Sequence, residues 1–173
     1  MDDLYSRIVR ERGSLENLFA RLPGFRGYME MSARRQADRM MREYVAQQIR
    51  LQLQRLPQIE KQLVDAGGLK YMSETRSAKT KFQTFIDRIA TDTPGYSGFF
   101  DANKVTQEDL QVIYAFDHAL VGYADQFKEK LDALQAAATS GEGIEDAIRD
   151  LDALTIEANE AYSLRENVLK GLE

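Results

Sequence analysis

Cysteine is absent from this chain of 173 residues, so the chain can form neither a disulfide nor a cysteine-ligated zinc or iron–sulfur centre. A thiolate nucleophile is excluded for the same reason. Proline, with 3 residues, and glycine, with 11, leave little material for flexible linkers. We therefore predict a single domain over residues 1–173, compatible with any redox compartment.

Long apolar runs are also missing. No stretch approaches the roughly 18 consecutive apolar residues of a membrane-spanning helix. The opening segment, MDDLYSRIVRERGSLENLF, carries a charge every few residues and therefore lacks the apolar core of a secretory signal. From these two observations we expect a cytoplasmic protein.

The chemistry of known active sites is poorly represented. The single histidine, His118, has alanine three residues before it, which excludes the Glu-x-x-His pairs of ferritin-like di-iron sites. No GxxxxGKS/T loop is present, and the turn formed by Gly95 and Gly98 contains no basic residue. An all-carboxylate magnesium site stays open, although the acids of the second half resemble a solvated face. We predict no cofactor, no metal and no catalytic residue, and hence no enzyme.

Apolar residues recur at helical spacing along most of the chain, and no segment shows the sustained alternation of a strand. These patterns predict an all-α fold, an antiparallel bundle of four long helices plus a short N-terminal helix. The predicted segments are a short helix within 1–24, a long helix over 28–66, a helix over 69–92, an aromatic loop over 93–105, and helices over 106–139 and 143–172.

Two points within these helices need a separate expectation. Pro57 lies inside the 28–66 helix, and because proline removes a backbone donor we expect a kink there. The N-terminal helix has a weak point at Gly13. Its placement is open among three arrangements: a fifth bundle member, a cover across one end, or exchange with a neighbouring subunit.

Asp117 and Arg165 occupy positions where the helical pattern demands apolar residues. If the last two helices fold back about a turn near Gly141, these two residues lie level with each other. An unpaired buried charge costs several kcal/mol, about 3–5 when one partner of a pair is removed. We therefore predict a structural ion pair between Asp117 and Arg165, which fixes the register of the helical hairpin.

The loop TDTPGYSGFFDANKVT places Tyr96, Phe99 and Phe100 among turn-forming residues. Such a loop needs no aromatic residues to turn, so these rings are expected to be buried against something. One interpretation is a plug that closes the end of the bundle core. The other is an anchor for a partner protein, since aromatic residues are common hot spots of interfaces.

Charge is distributed unevenly. Residues 101–173 hold 16 acidic and 6 basic side chains, whereas residues 1–100 hold 12 acidic and 17 basic ones. The favoured explanation is that the two halves face each other within the bundle or across an oligomer. We also predict a basic surface formed by Arg34, Arg35, Arg39, Arg42 and Arg50.

These observations favour a non-enzymatic interaction or scaffold module whose partner is a second copy or another protein. One alternative is a peripheral protein that binds a membrane surface through the basic segment 26–55. A second is an enzyme or small-ligand binder with a carboxylate-lined interior. Nucleic acid is an unlikely partner, because glutamines dilute the basic segment and it lacks interleaved aromatic residues.

Overall fold

Helices form the framework of the computed structural model, which describes residues 3–13, 15–91, 99–100 and 105–171. Short 3₁₀ turns at Met31–Ala33 and Leu69–Tyr71 precede two of the helices. The described residues contain no strand, so the predicted all-α bundle is confirmed. The α-helices are α1 (Leu4–Arg10), α2 (Leu15–Arg21), α3 (Arg34–Leu53), α4 (Leu56–Asp65), α5 (Met72–Ala90), α6 (Gln107–Ser140) and α7 (Ile144–Lys170).

The expected kink near Pro57 takes the form of a break between α3 and α4. Helix α3 ends at Leu53 and α4 begins at Leu56, which places Pro57 in the first turn of α4. Proline is tolerated in a first turn, because the N–H that it lacks has no partner within the helix there. Leu56 and Leu63, which lie two helical turns apart on α4, are both buried. Helix α4 therefore continues the core face of α3.

Helices α6 and α7 form a hairpin whose ends are set by local sequence. Thr106 caps α6: its hydroxyl accepts from the Asp109 backbone N–H at 3.2 Å, and the Asp109 carboxylate accepts from the Thr106 N–H at 2.9 Å. Gly141 ends α6 with φ +80°, and Gly143 begins α7 with φ +73°. Both angles lie in the left-handed region that glycine adopts without strain.

The bundle has four members: α3 with its continuation α4, α5, α6 and α7. In cross-section they form a square in which α3 and α7 occupy opposite corners, as do α5 and α6. Helices α5 and α7 run in the same direction, because Lys81–Asp152 and Arg88–Asn159 contacts both join residues 71 positions apart. Helices α4 and α6 are parallel for the same reason. Members that follow each other in the chain are antiparallel. The pairs α5/α7 and α4/α6 are neighbours in space and parallel, because the chain between α5 and α6 connects opposite corners of the square.

Aromatic rings fill the centre of the square. Phe82 of α5 and Phe127 of α6 have ring centroids 4.2 Å apart, and Phe85 lies 6.3 Å from Phe127. All three rings are fully buried. The diagonal helices α5 and α6 therefore meet through these side chains rather than through their backbones.

The N-terminal residues form two short helices instead of one. Helices α1 and α2 lie across α6, and α1 also touches α7; we call residues 4–22 the N-terminal strap. The strap buries Ile8, Leu18 and Leu22 beneath it. Gly13 lies between the two helices against the His118 ring, in space where a Cβ atom would overlap the imidazole. The weak point expected at Gly13 is thus a close approach that only glycine permits.

The cap on α6 can be tested by substitution of Thr106. We expect Thr106→Ala to lower the free energy of unfolding by about 1 kcal/mol, because a backbone N–H of the first turn loses its partner. Thr84→Ala is the matched control, since Thr84 is exposed in the middle of α5. Urea denaturation measures both. Equal stability of the two variants would show that the capping box does not stabilise α6.

Candidate functional site

Five polar side chains meet inside the bundle, and we call them the buried polar network. They are Tyr28, which precedes α3, Asp38 and Arg42 of α3, Asp117 of α6 and Arg165 of α7. None is more than 3% exposed. Groups of this kind are found inside proteins only when they are paired, because their desolvation is costly.

Arg165 lies at the centre of the network. Its Nε donates to Asp117 Oδ1 at 2.7 Å, and its Nη2 donates to Asp38 Oδ1 at 2.7 Å. The same Nη2 is 3.3 Å from the Tyr28 hydroxyl, which itself donates to Asp117 Oδ2. One guanidinium therefore connects α3, α6, α7 and the segment before α3.

Arg42 extends the network to the end of α5. Its Nε donates to Asp38 Oδ2 at 2.8 Å, so the Asp38 carboxylate bridges two guanidinium groups. Its Nη1 donates to the carbonyl oxygens of Ile89 at 3.1 Å and Thr91 at 3.3 Å. These carbonyls lie in and after the last turn of α5, where a helix leaves its acceptors without intrahelical donors.

Burial sets the protonation of these groups. It raises the pKa of the Tyr28 hydroxyl well above its ordinary value, and the adjacent Asp117 carboxylate acts in the same direction. Burial also raises the pKa of Asp117, although the Arg165 charge and the Tyr28 hydrogen bond oppose this shift. For Arg165, burial lowers the pKa, but Asp117 and Asp38 outweigh it and the net shift is upward. Arg165 is therefore a permanent cation and Tyr28 a neutral donor.

Two buried atoms beside this network have no hydrogen-bond partner among the described residues. They are Nη1 of Arg165 and the hydroxyl oxygen of Tyr162. The two residues lie three positions apart on α7. The Arg165 charge acts to lower the pKa of Tyr162, and Tyr162 acts to raise the pKa of Arg165. Burial raises the pKa of Tyr162, so its hydroxyl is neutral.

The structure contains the ion pair that the sequence places between Asp117 and Arg165, although its role in fixing the register stays a prediction. Asp38 and Arg42 were not predicted to belong to this network, and neither was Tyr28. A signal was available for the first two, because Asp38 and Arg42 continue at steps of three and four to the buried Val45 and Ile49. No local pattern points to Tyr28.

The predicted basic surface is wrong for Arg34 and Arg42, which are only 6% and 3% exposed. Arg34 Nε donates to the Tyr28 carbonyl oxygen at 2.9 Å, and its Nη1 donates to the Phe99 carbonyl oxygen at 3.0 Å. The physical reason is that both arginines lie on the inward face of α3 and satisfy backbone carbonyls there. Exposed arginines of the predicted set are Arg35, Arg39 and Arg50.

The aromatic loop is described only at two of its three predicted residues. Phe99 is fully buried and Phe100 is 6% exposed. The Phe99 ring packs on Tyr28, and the Arg35 guanidinium carbon lies 4.9 Å from the Phe100 ring centroid. A plug requires such burial, whereas an anchor leaves a ring exposed. Tyr96 lies outside the described residues, so the choice for the whole loop stays a prediction.

The uneven charge distribution is largely matched within the chain. Basic side chains of the first half bridge to acids of α6 and α7, which orients the two halves toward each other. Exposed pairs of this kind contribute little stability, typically about 0–1 kcal/mol each. The pairs are Arg7–Glu157, Arg21–Asp125, Arg55–Asp132, Lys70–Glu145, Lys81–Asp152 and Arg88–Glu166.

A cavity of about 440 Å³ lies between the first turns of α5 and α7. Glu74, Glu145 and Asp152 line it, but Asp152 binds Lys81 at 2.7 Å. No group of three or more side chains suited to a metal ion occurs among the residues described. The acids of the bundle interior, Asp38 and Asp117, are held by arginines and face no cavity described here.

A second cavity, of about 190 Å³, lies beneath the N-terminal strap. His118 lines one side of it and is half-buried. At its far end Tyr123 donates to Glu157 Oε1 at 2.9 Å, and Arg7 bridges to the same oxygen at 2.6 Å. These polar groups therefore serve to hold the strap on α6 and α7.

Large apolar side chains are exposed mainly near the N-terminus. Leu15 and Phe19 of α2 are 43% and 39% exposed, and Met29 and Met31 are 61% and 45% exposed. Leu15 lines a cavity with Gln111, and Met29 lies 3.8 Å from the Gln107 side chain. Leu15 and Met29 thus flank successive turns at the start of α6, and we call these four apolar residues the N-terminal apolar patch.

Comparisons with protein families, with curated proteins and with solved structures found no match to this chain. Among the helices of the described part, none combines the length and apolar character of a membrane span.

The buried polar network can be tested at its centre. We expect Arg165→Met to lower the free energy of unfolding by about 3–5 kcal/mol, because two buried carboxylates lose a shared cation. The double variant Arg165→Met/Asp117→Leu should recover part of this loss. Lys61→Met, in an exposed ion pair with Asp65, is the control and should change little. A fully stable Arg165→Met protein would show that the network does not hold the helices together.

The partnerless hydroxyl of Tyr162 leads to a second prediction. At pH 7 we expect Tyr162→Phe to be at least as stable as the native protein, whereas Tyr28→Phe loses about 1.5–3 kcal/mol with its bond to Asp117. Chemical denaturation of both variants measures this difference. Equal losses would show that the Tyr162 hydroxyl has a partner, such as an ordered water.

Four tyrosines also predict how stability depends on pH. Burial raises the pKa of Tyr28, Tyr114, Tyr123 and Tyr162, so above about pH 10 the unfolded chain loses these protons before the folded chain does. The contribution of these tyrosines to the free energy of unfolding is fully present below that pH and is lost as the pH rises. In Tyr162→Phe the fall should be shallower by up to about 1.4 kcal/mol per pH unit. Unchanged slopes would contradict this assignment.

Proposed function

We infer that this chain is a non-enzymatic interaction module that associates with a second copy of itself. The observation that carries the proposal is the N-terminal apolar patch. A single exposed apolar residue is ordinary on a protein surface, whereas a cluster is typical of an interface. Leu15, Phe19, Met29 and Met31 are all exposed within 17 residues of chain, and the first three lie near the start of α6 or the segment before α3.

The interior supports the same conclusion. The ionisable side chains of the buried polar network bond to one another or to backbone carbonyls, and Nη1 of Arg165, which has no partner among the described residues, is fully buried. The apolar patch is bordered by both signs of charge, with Arg26 and Glu30 paired beside it. A border of mixed charge suits a second copy, because like charges then need not face each other across the contact.

The membrane-surface alternative relies on the same apolar residues. It requires several exposed basic side chains beside them, since attraction to anionic lipid grows with each cation near the surface. Burial of Arg34 and Arg42 removes two cations from the segment 26–55. The alternative is therefore weaker than the sequence suggests.

The test compares two surface variants of equal chemistry. Met29→Ser/Met31→Ser removes the most exposed part of the patch, and Leu51→Ser/Ile156→Ser removes two apolar residues of similar exposure, 48% and 51%, elsewhere. Light scattering across a concentration series measures the molar mass of each. We expect the native protein and the control to be dimeric, and the patch variant to be shifted toward the monomer.

Two outcomes would overturn the proposal. A native protein that stays at 19.7 kDa at every concentration has no self-association to explain. A monomer that binds anionic vesicles in a salt-sensitive manner, and loses this binding in the patch variant, would show that the patch binds a membrane surface and not a second copy.

A further inference from the structure

We propose that two copies associate by exchanging their N-terminal straps, so that residues 4–22 of each chain lie on α6 and α7 of the other. This mode rests on the self-association proposed above and specifies its geometry. Exchange of an identical element costs little, because each copy regains from its partner the contacts that it loses within itself.

The strap has the properties of an exchangeable element. Helices α1 and α2 have seven residues each, far fewer than the roughly 12–15 that an isolated helix needs in water. They are therefore ordered by the surface on which they lie. A strap that leaves its own chain is driven to bind an equivalent surface, since Ile8, Leu18 and Leu22 would otherwise face water.

Specific contacts hold the strap and can be reproduced between chains. Three arginines of the strap reach acceptors on the bundle, and all three contacts are at the exposed edges of the strap. A contact of this kind gains little from being made within one chain, because its partners are solvated before it forms. The contacts are Arg7–Glu157 at 2.6 Å, Arg12–Gln111 at 2.5 Å and Arg21–Asp125 at 2.9 Å.

The chain provides a hinge directly after the strap. Pro23 and Gly24 are exposed and form a tight turn, in which the Phe25 N–H donates to the Leu22 carbonyl oxygen at 2.9 Å. Gly24 has φ +84°, a left-handed conformation that the turn imposes. A short turn of this kind favours exchange, because few residues have to change conformation for the strap to leave its own chain.

The chain becomes fixed again within four residues of this hinge. The Tyr28 backbone N–H donates to the Tyr114 hydroxyl at 2.7 Å, and its side chain belongs to the buried polar network. Movement is therefore confined to the strap. The bundle that receives a partner's strap keeps its structure while its own strap is away.

The N-terminal apolar patch surrounds this hinge. Phe19 precedes Pro23 and Gly24 by one helical turn, and Met29 and Met31 follow them within eight residues. In an exchanged dimer the two chains cross at their hinges, so each patch is close to the other copy. Exchange thereby explains why the exposed apolar residues lie at this place in the molecule.

The absence of cysteine allows a direct test. The double variant Arg12→Cys/Gln111→Cys places one thiol on the strap and one on α6, at a pair in contact. A short bis-maleimide linker is added at a concentration where the native protein is dimeric, and the products are separated under denaturing conditions. Exchange predicts covalent dimers, whereas a dimer with closed straps gives only internally linked single chains.

A hinge variant provides an independent readout. Gly24→Ala strains the closed turn in both copies, so the association constant should rise by about a hundredfold, corresponding to roughly 1.4 kcal/mol of strain released at each of the two hinges. Gly141→Ala is the matched control: Gly141 has φ +80° and open space around its Cβ position, but lies in the α6–α7 turn. It introduces the same strain without affecting the hinge.

The outcomes separate the two proposals. Dimers in solution that yield only internally linked chains, with equal association constants for both glycine variants, would overturn strap exchange and leave self-association standing. A monomer at every concentration would overturn both. Covalent dimers together with a selective effect of Gly24→Ala support exchange.

Discussion

The buried hydrogen bonds of the Arg165 guanidinium group are the interactions on which we expect the bundle to depend. This group is fully buried and binds carboxylates from two other helices, Asp38 on α3 and Asp117 on α6. Because removal of a charge from water costs several kcal/mol, such a group is tolerated only when its partners are in place. A shift of one helical turn would leave a charge unpaired, so we expect these bonds to restrict the relative positions of α3, α6 and α7.

The same network bears on the function that we propose. Its ionisable groups are used to join helices, and Arg42 adds the last carbonyls of α5 to the set. A site that binds substrate needs groups left available in a cleft. The polar groups of the described interior bond mainly to one another, so the proposed self-association relies on the surface, where exposed apolar residues flank the turn at Pro23 and Gly24 in sequence.

How far the sequence predicts this site varies from residue to residue. Asp117 and Arg165 could be paired because each interrupts an apolar row and the hairpin places them level. Arg42 and Arg34 were predicted to lie on a basic surface, because arginine is usually exposed and charged residues occur on both the buried and the exposed faces of α3. Tyr28 lies in an irregular segment without periodicity. Its place in the network depends on contacts with helices that are distant in sequence.

The sequence by itself determined the helical periodicity, the cap at Thr106, an interruption near Pro57 and the absence of thiol chemistry, because each of these depends on composition or on neighbouring residues. Tertiary structure alone decided which arginines are buried and that α5 lies parallel to α7. The burial of an arginine depends on the helices packed around it, and the parallel pair follows from the connection of diagonal corners between α5 and α6. Helical periodicity gives the width of an apolar face, but only the packed neighbours decide which polar residues at its edge are enclosed.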